Sequence, residues 1–284
     1  MKSIHSFLIL AFVALLSAPM HAQQLKVPAL SPLQTLEQSF ALSSIKLEYS
    51  RPSARGRVVF GDVVPFGKIW RTGANASTKI SFGEDVKIDG KSLPTGTYAL
   101  YTIPNKDSWD ILFYSDLKLG GNVADYKKEN EVLRIRAKAN AYGVKTETFT
   151  MNIAEITPSA CNLEFIWENT RVSLPIVAEI DSKIMKNIET SLAVDGRPYF
   201  QAAGYYYENN KDLNKALDWA NKAIEQNPKA FYMVHLKAKI QMKLKDFKGA
   251  IASAEQSMIL AKEAKSDDYI NMNQKLIAEA QKGK

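Results

Sequence analysis

The stretch RPSARGRVVFGDVVPFGKIWRTGANAST, residues 51–78, is the least periodic part of the chain. It carries four arginines, Trp70 and five glycine or proline residues before Gly73. Glycine and proline interrupt regular strands and helices, so this stretch predicts an irregular excursion of the backbone. Strand patterns flank it on both sides, which places the excursion inside a β domain.

Short strands surround the excursion. Before it, Ile45, Leu47 and Tyr49 alternate with polar residues, the pattern of a half-buried strand. After it, Asp89-Gly90 is a signal for a two-residue hairpin turn. Further alternating segments, separated by turns, continue as far as residues 172–176 and show no helical pattern. Such a series indicates an antiparallel β-sandwich or barrel, and we expect the sandwich.

The pattern becomes helical near Ala178. We therefore divide the chain into a signal peptide at residues 1–22, a β-sandwich domain at 23–178 and a helical domain at 179–284. The helical domain opens with apolar residues that recur every four positions, on one face of a predicted helix, at Ile180, Ile184, Ile188 and Leu192.

A repeat of 34 residues is visible in the helical domain, because that shift places Lys211-Asp212-Leu213 on Lys245-Asp246-Phe247. Segments 197–230 and 231–264 are therefore two predicted repeats, of which the second is degenerate. The flanking helices would supply the missing packing surfaces. Small residues, a tyrosine and a proline match the tetratricopeptide pattern of paired antiparallel helices, at Gly204, Tyr207, Ala216, Ala223 and Pro228.

The first 22 residues have the parts of a secretory signal peptide. Lys2 supplies a positive charge, residues 7–16 are an unbroken apolar run, and Ala22 is a small residue at a cleavage point. The run of ten residues is too short to span a bilayer as a helix. We expect an exported protein without a membrane span, in the periplasm of a Gram-negative bacterium or secreted.

Few residues of the predicted mature chain suit catalysis. It holds one cysteine, Cys161, and one histidine, His235, so we expect neither a zinc site nor a serine-histidine-aspartate triad, and no cofactor. The net charge is +7, but lysine and arginine are spread along the whole chain. Together with export, this dispersed charge argues against nucleic-acid binding.

The central stretch holds the candidate ligand-binding residues. A guanidinium group can grip a carboxylate or phosphate with two parallel hydrogen bonds, and a tryptophan adds a flat apolar surface. Alternatively, the arginines tie loops to backbone carbonyls and the tryptophan belongs to the core. The candidates are Arg51, Arg57, Trp70, Arg71, Asn75 and Thr78.

Several runs of the chain resemble a known family. They are Tyr49-Ser50-Arg51-Pro52-Ser53, Gly56-Arg57, Phe60-Gly61, the run from Val64 to Asn75 and the run from Leu93 to Tyr98. These runs look like the signature of the DUF2911 domain family, and the resemblance extends from about residue 28 to residue 178. It implies an exported bacterial β domain, and a tetratricopeptide tail also fits the family. No activity and no functional residue can be carried over from it.

We expect a non-catalytic binding protein of the cell envelope. Its helical repeats would hold a protein or peptide partner, since stacked repeats present a concave surface. Its β-sandwich would bind a small anionic or polar ligand through the central stretch.

Two other functions stay open. One is a carboxylate-dependent hydrolase of an envelope glycan or ester, which needs two acidic residues converging in a cleft. The other is a carbohydrate-binding module, which needs Trp70 exposed as a stacking platform.

Overall fold

The computed structural model describes residues 27–194 and 198–283. The predicted signal peptide, residues 1–22, lies outside these ranges. The described chain divides into two compact units, with the boundary between Glu179 and Ile180.

The first unit is an antiparallel β structure, which confirms the predicted class. Its nine strands form one sheet in the order β1-β2-β3-β6-β7-β8-β9-β4-β5. β1 and β5 are the two edges of this sheet, so the barrel that the strand pattern also allowed does not form. The strands are β1 Leu33–Phe40, β2 Ser43–Ser50, β3 Ala74–Phe82, β4 Val86–Ile88, β5 Lys91–Leu93, β6 Gly96–Pro104, β7 Ser108–Tyr114, β8 Glu131–Ala154 and β9 Ala160–Val177.

The long strand β8 joins the two halves of the sheet. Its first part, through Lys138, pairs with β7, and from Ala139 onward it pairs with β9. The β8–β9 register shifts between Ala141 and Thr150. A register shift arises where one strand carries extra residues relative to its partner, and such a bulge bends the strand and increases its twist. A single strand therefore serves both halves of the sheet and changes direction between them.

The sheet folds over its own inner face. The Tyr49 hydroxyl on β2 donates to the Met151 carbonyl on β8 at 3.1 Å and accepts the Met151 N–H at 2.8 Å. Three strands lie between β2 and β8 in the sheet order, so this contact crosses the core. Trp109 on β7 and Phe165 on β9 meet across the same core, with ring centroids 6.0 Å apart. Large buried aromatic side chains thus fill the space between the two halves.

The second unit is helical, and successive helices from α2 to α6 pack against each other. The predicted helix that starts near Ile180 is observed. The described residues form six α-helices: α1 Asp181–Leu192, α2 Tyr199–Glu208, α3 Leu213–Gln226, α4 Phe231–Lys243, α5 Phe247–Glu263 and α6 Asp267–Lys282.

The helix starts carry the 34-residue period. Asp212 caps α3, where its Oδ1 accepts from the N–H groups of Asn214 at 2.9 Å and Lys215 at 3.1 Å. Asp246 caps α5, where its Oδ1 accepts from the Gly249 N–H at 2.9 Å. A carboxylate at this position satisfies N–H groups that lack a partner within the helix and interacts favourably with the helix dipole.

The small residues also follow the period. Ala216 and Ala250, which are 34 positions apart, are both fully buried, and so are Ala220 and Ala254 within about one per cent. A Cβ atom added at Gly204 would lie 4.0 Å from Leu236 Cδ2. Small side chains at these positions allow the helices to approach closely.

We predict that Asp212→Ala lowers the free energy of unfolding of the helical unit by about 1 kcal/mol, because two N–H groups of α3 lose their acceptor. Asp218→Ala is the matched control, since Asp218 makes an exposed ion pair with Lys222 at 2.7 Å one turn along the same helix. That pair contributes less than about 0.5 kcal/mol. Urea unfolding followed by circular dichroism measures both changes, and equal losses would contradict the capping role.

Candidate functional site

The residues predicted to form a site lie in and beside the connection between β2 and β3. Residues 51–73 contain no strand longer than an isolated bridge, so the predicted excursion is confirmed. Two such bridges hold it in place, Ser53 with Thr148 on β8 and Trp70 with Thr102 on β6. The excursion is therefore irregular in conformation but attached to the sheet at both ends.

Two of the candidate arginines form hydrogen bonds within the β unit. Arg51 donates from Nε to the Phe149 carbonyl at 3.0 Å and from Nη2 to Thr150 Oγ1 at 2.7 Å. Arg57 donates to the carbonyls of Ala54 at 3.0 Å and Ser53 at 2.9 Å. These contacts tie the excursion to β8 and to itself, which is the second of the two roles considered for the arginines.

Trp70 forms part of an aromatic cluster. Its ring stacks on Trp167 with the centroids 5.8 Å apart and an interplanar angle of 23°. Phe149 and Trp109 meet it edge to face at 5.0 and 6.1 Å. The indole N–H donates to the Gly73 carbonyl at 3.0 Å. Trp70 is half-buried with one face covered, a geometry that gives little support to an open platform for sugars.

The two remaining polar candidates stabilise the end of the excursion. Thr78 is fully buried and donates to the Thr72 carbonyl at 2.5 Å. Asn75 donates from Nδ2 to the Ser31 carbonyl at 3.2 Å and to Ser50 Oγ at 3.3 Å. Thr72 has a φ of +56°, which is unfavourable for a β-branched residue. Its neighbours hold this turn, and the turn sets the direction of the side chain before it, Arg71.

A cavity of about 180 Å³ lies between the excursion and the loop that follows β7. On the loop side its lining includes Gly121 and Val123. On the excursion side the lining residues are Val63, Val64, Pro65, Lys68, Ile69, Trp70 and Arg71. Of the six candidate residues, the cavity therefore brings together Trp70 and Arg71, and the other four lie elsewhere in the framework.

Arg71 is the guanidinium group at this cavity. Its Nη1 donates to the Asn75 carbonyl at 2.9 Å, and no carboxylate of the described chain lies within 4.0 Å of it. Lys68 is exposed and adds a second positive charge, while no acidic residue lines the cavity. The cavity thus combines apolar walls with two cationic groups.

The loop between β7 and β8 forms the other wall of the cavity, and none of the residues predicted to bind a ligand lies in this loop. The Tyr101 hydroxyl donates to the Gly120 carbonyl at 2.8 Å, and burial raises the pKa of Tyr101, so this phenol remains a neutral donor. Val123 and Tyr126 pack on the outer face of the sheet. In the sequence, the signal for this anchoring is the set of apolar residues in a loop that is otherwise polar, namely Leu117, Leu119, Val123 and Tyr126.

Gly121 is needed for space rather than for backbone conformation. A Cβ added there would collide with the Asn75 carbonyl oxygen and with Arg71 Nη1. The loop backbone therefore presses directly on the hydrogen bond that orients the guanidinium. Any larger residue at position 121 must displace the loop, Arg71 or both.

Carboxylates on strands β7, β8 and β9 face arginines. Asp110 and Glu164 are buried and Glu131 is half-buried, and Glu164 lies 3.5 Å from Arg171. Asp110 accepts from Arg136 at 2.7 and 3.2 Å. Glu131 accepts from Arg134 at 2.9 and 2.6 Å. Arginine donors already occupy oxygens of these carboxylates, which gives little support to a role for them in glycoside or ester hydrolysis. The described residues contain no cluster of three or more His, Cys, Asp or Glu side chains that could hold a metal ion.

The comparisons with known proteins concern the β unit. Residues 31–176 match the family described as "Protein of unknown function (DUF2911)". The chain belongs to the DUF2911 family. No curated protein and no solved structure matches it. The DUF2911 region runs from just before β1 to the end of β9 and includes every residue of the cavity, whereas the helical unit lies outside it.

None of the helices in the described part of the chain has the length and apolar character to cross a membrane.

We predict that Gly121→Ala lowers the free energy of unfolding of the DUF2911 unit by about 1–3 kcal/mol, because the added methyl group overlaps the Asn75 carbonyl and Arg71. Gly143→Ala on β8 is the matched control, since a Cβ there meets no atom within 4 Å. The control should change stability by less than about 0.5 kcal/mol. Denaturant unfolding followed by tryptophan fluorescence tests this, and an equal effect at both positions would refute the close approach.

We predict that Arg51→Ala destabilises the same unit by about 1–3 kcal/mol, because the Phe149 carbonyl and Thr150 lose a charged donor. Arg55→Ala serves as the control, since Arg55 makes a single exposed side-chain hydrogen bond, to the Leu30 carbonyl at 2.9 Å. Arg55→Ala should lower the free energy of unfolding by no more than about 0.5 kcal/mol. If thermal and denaturant unfolding show the two variants to be equally stable, Arg51 does not hold the excursion.

Proposed function

We propose that this DUF2911 protein is an exported, non-catalytic binding protein of the cell envelope. Its β unit takes a small anionic ligand in the cavity beside Arg71, and its helical unit holds a protein partner. One observation carries the ligand site: Arg71 lines a cavity of about 180 Å³ and has no carboxylate of the described chain within 4.0 Å.

The arginines of the excursion differ in what their donors bind. Arg51 and Arg57 each use two nitrogens on acceptors within the β unit. Arg71 donates through Nη1 alone among the described residues. A guanidinium carries several N–H groups in a planar fork, so Arg71 retains a donor edge that suits a bidentate anion. Lys68 on the same cavity adds to the attraction.

The finer architecture belongs to the same proposal. The two halves of the sheet, joined by β8 and packed on a common core, form a β-sandwich. The helical unit is tetratricopeptide-like, which is supported by the 34-residue spacing of the capping residues Asp212 and Asp246 and of the buried alanines. Helices α1 and α6 complete the packing that two repeats by themselves lack.

The partner of the helical unit is proposed to contact the surface that lysines and a tyrosine form on α2 and α4, where Lys239 also pairs with Glu208 at 3.4 Å. Lys239 and Lys243 of α4 lie over the Tyr207 ring of α2, with their Nζ atoms 4.6 and 4.0 Å from its centroid. Export rests on the signal-peptide pattern of residues 1–22.

A thermal-shift experiment with small anions tests the ligand site. We expect at least one of acetate, benzoate, citrate, sulfate and phosphate to raise the melting temperature beyond sodium chloride of equal ionic strength. At a ligand concentration about 100-fold above the dissociation constant, the stabilisation is about 2.7 kcal/mol. The shift should be lost in Arg71→Gln and retained in Arg55→Gln.

Arg71→Lys refines this test, since it keeps the charge but not the planar fork, and it should keep only part of the shift. The proposal fails if Arg71→Gln and the parent chain respond alike to every anion, or if no anion acts beyond its ionic strength.

A further inference from the structure

We infer that the ligand of the cavity beside Arg71 is a small monocarboxylate with one compact apolar group of about the size of a benzene ring. This inference rests on the proposed function, because it names the ligand class for the same cavity. Three properties of the cavity carry it, namely its volume, the chemistry of its walls and the position of its charge.

The volume admits one small group. An engineered cavity of about 150 Å³ in another protein binds benzene, whereas sites for drug-sized ligands range from about 300 to 1,000 Å³. The cavity of this protein has about 180 Å³. It therefore accommodates a single six-membered ring or a branched aliphatic group, and it is too small to enclose a nucleotide or an oligosaccharide.

The walls favour an apolar body. Val63, Val64, Pro65, Ile69 and Val123 present carbon atoms to the cavity. The indole N–H of Trp70 already donates to Gly73, so the tryptophan adds apolar surface rather than a donor. A sugar hydroxyl placed against these carbon atoms would find no hydrogen-bond partner among them, since Lys68 and Arg71 supply the polar side chains of the lining. Removing an apolar ring from water is favourable at the same place.

The positive charge of Arg71 requires an anionic head group on the ligand. A neutral apolar ligand would remove water from the Arg71 guanidinium without offering it an acceptor. A carboxylate attached to the apolar group provides two oxygens for the donor edge that Arg71 leaves unused within the described structure. A single negative charge matches the Arg71 guanidinium, and Lys68, which is exposed to water, adds a weaker attraction.

The guanidinium is held in place before a ligand arrives. The Asn75 carbonyl accepts from Arg71 at 2.9 Å, and the backbone at Gly121 covers this contact. The left-handed turn at Thr72 fixes the direction in which Arg71 leaves the chain. A site that is ordered in advance loses less conformational entropy on binding.

Isothermal titration calorimetry on the complete mature chain tests the inference with benzoate, acetate, benzyl alcohol and inorganic phosphate at equal ionic strength. Benzoate should bind at least about tenfold more tightly than acetate, which lacks the ring, and than benzyl alcohol, which lacks the charge. Arg71→Gln should weaken the binding of benzoate at least about tenfold and leave the binding of benzyl alcohol unchanged. Arg55→Gln should change neither.

Two further measurements keep the test decisive if Arg71→Gln does not fold. Lys68→Gln alters an exposed side chain and should weaken benzoate about two- to fivefold. Methyl NMR should show benzoate-dependent shifts at Val63, Val64 and Val123, and none at Val144, an exposed valine of β8 that does not line the cavity.

The outcomes separate the two proposals. If acetate or phosphate binds as tightly as benzoate and depends on Arg71, the anion site stands and the apolar monocarboxylate is wrong. If phenyl phosphate, added as a further probe, binds more tightly than benzoate, the head group is a phosphate monoester instead. If benzyl alcohol binds as tightly as benzoate, or if the valine methyl groups do not shift, the inference fails. If, in addition, no anion binds in a way that depends on Arg71, the anion site fails as well.

Discussion

The attachment of the β2–β3 excursion to strand β8 is the constraint on which the rest of the β unit depends. The Phe149 N–H donates to the Pro52 carbonyl at 2.8 Å, and the Ala54 N–H donates to the Glu147 carbonyl at 2.8 Å. Arg51 adds two charged hydrogen bonds at the same place. These contacts join segments almost 100 residues apart in the sequence, so they hold the sheet folded over its core. Together with the bridge between Trp70 and Thr102 on β6, they give the excursion a defined path and fix the positions of Trp70 and Arg71.

The core and the cavity are two consequences of this attachment. The excursion returns along β6, where the backbone N–H of Trp70 donates to the Thr102 carbonyl at 2.7 Å. This path places the Trp70 ring against Trp167. The next residue, Arg71, then leaves the core for the cavity. Two adjacent residues thus have different roles. Trp70 completes the aromatic packing, and Arg71 places a positive charge beside it. The low polarity that the aromatic cluster creates nearby strengthens any ion pair formed there.

The loop after β7 shows how a polar segment becomes part of a binding site. It has no strand, and its short helical turn at Lys128–Asn130 buries no residue. It is nevertheless ordered by tyrosines, since the Tyr114 hydroxyl accepts from the Lys127 N–H at 3.0 Å and the Tyr126 ring stacks on Tyr114 at 4.6 Å. This anchoring allows Gly121 to approach Arg71 closely. A site built between an attached excursion and an anchored loop needs no large movement to receive a small ligand.

The amino-acid sequence by itself determined the order of β and helical regions, the alternation of buried and exposed residues in the strands and the 34-residue spacing in the helices, because these depend on neighbours a few positions apart. Its long motifs also determined the DUF2911 family. Only the tertiary structure decided which arginine lines a cavity. Arg51 and Arg71 have the same side-chain chemistry, but Arg51 donates to the Phe149 carbonyl 98 positions away, whereas Arg71 lies against the backbone at Gly121. Such long-range contacts leave no periodic signal in the sequence, because they depend on how the strands are ordered in the sheet.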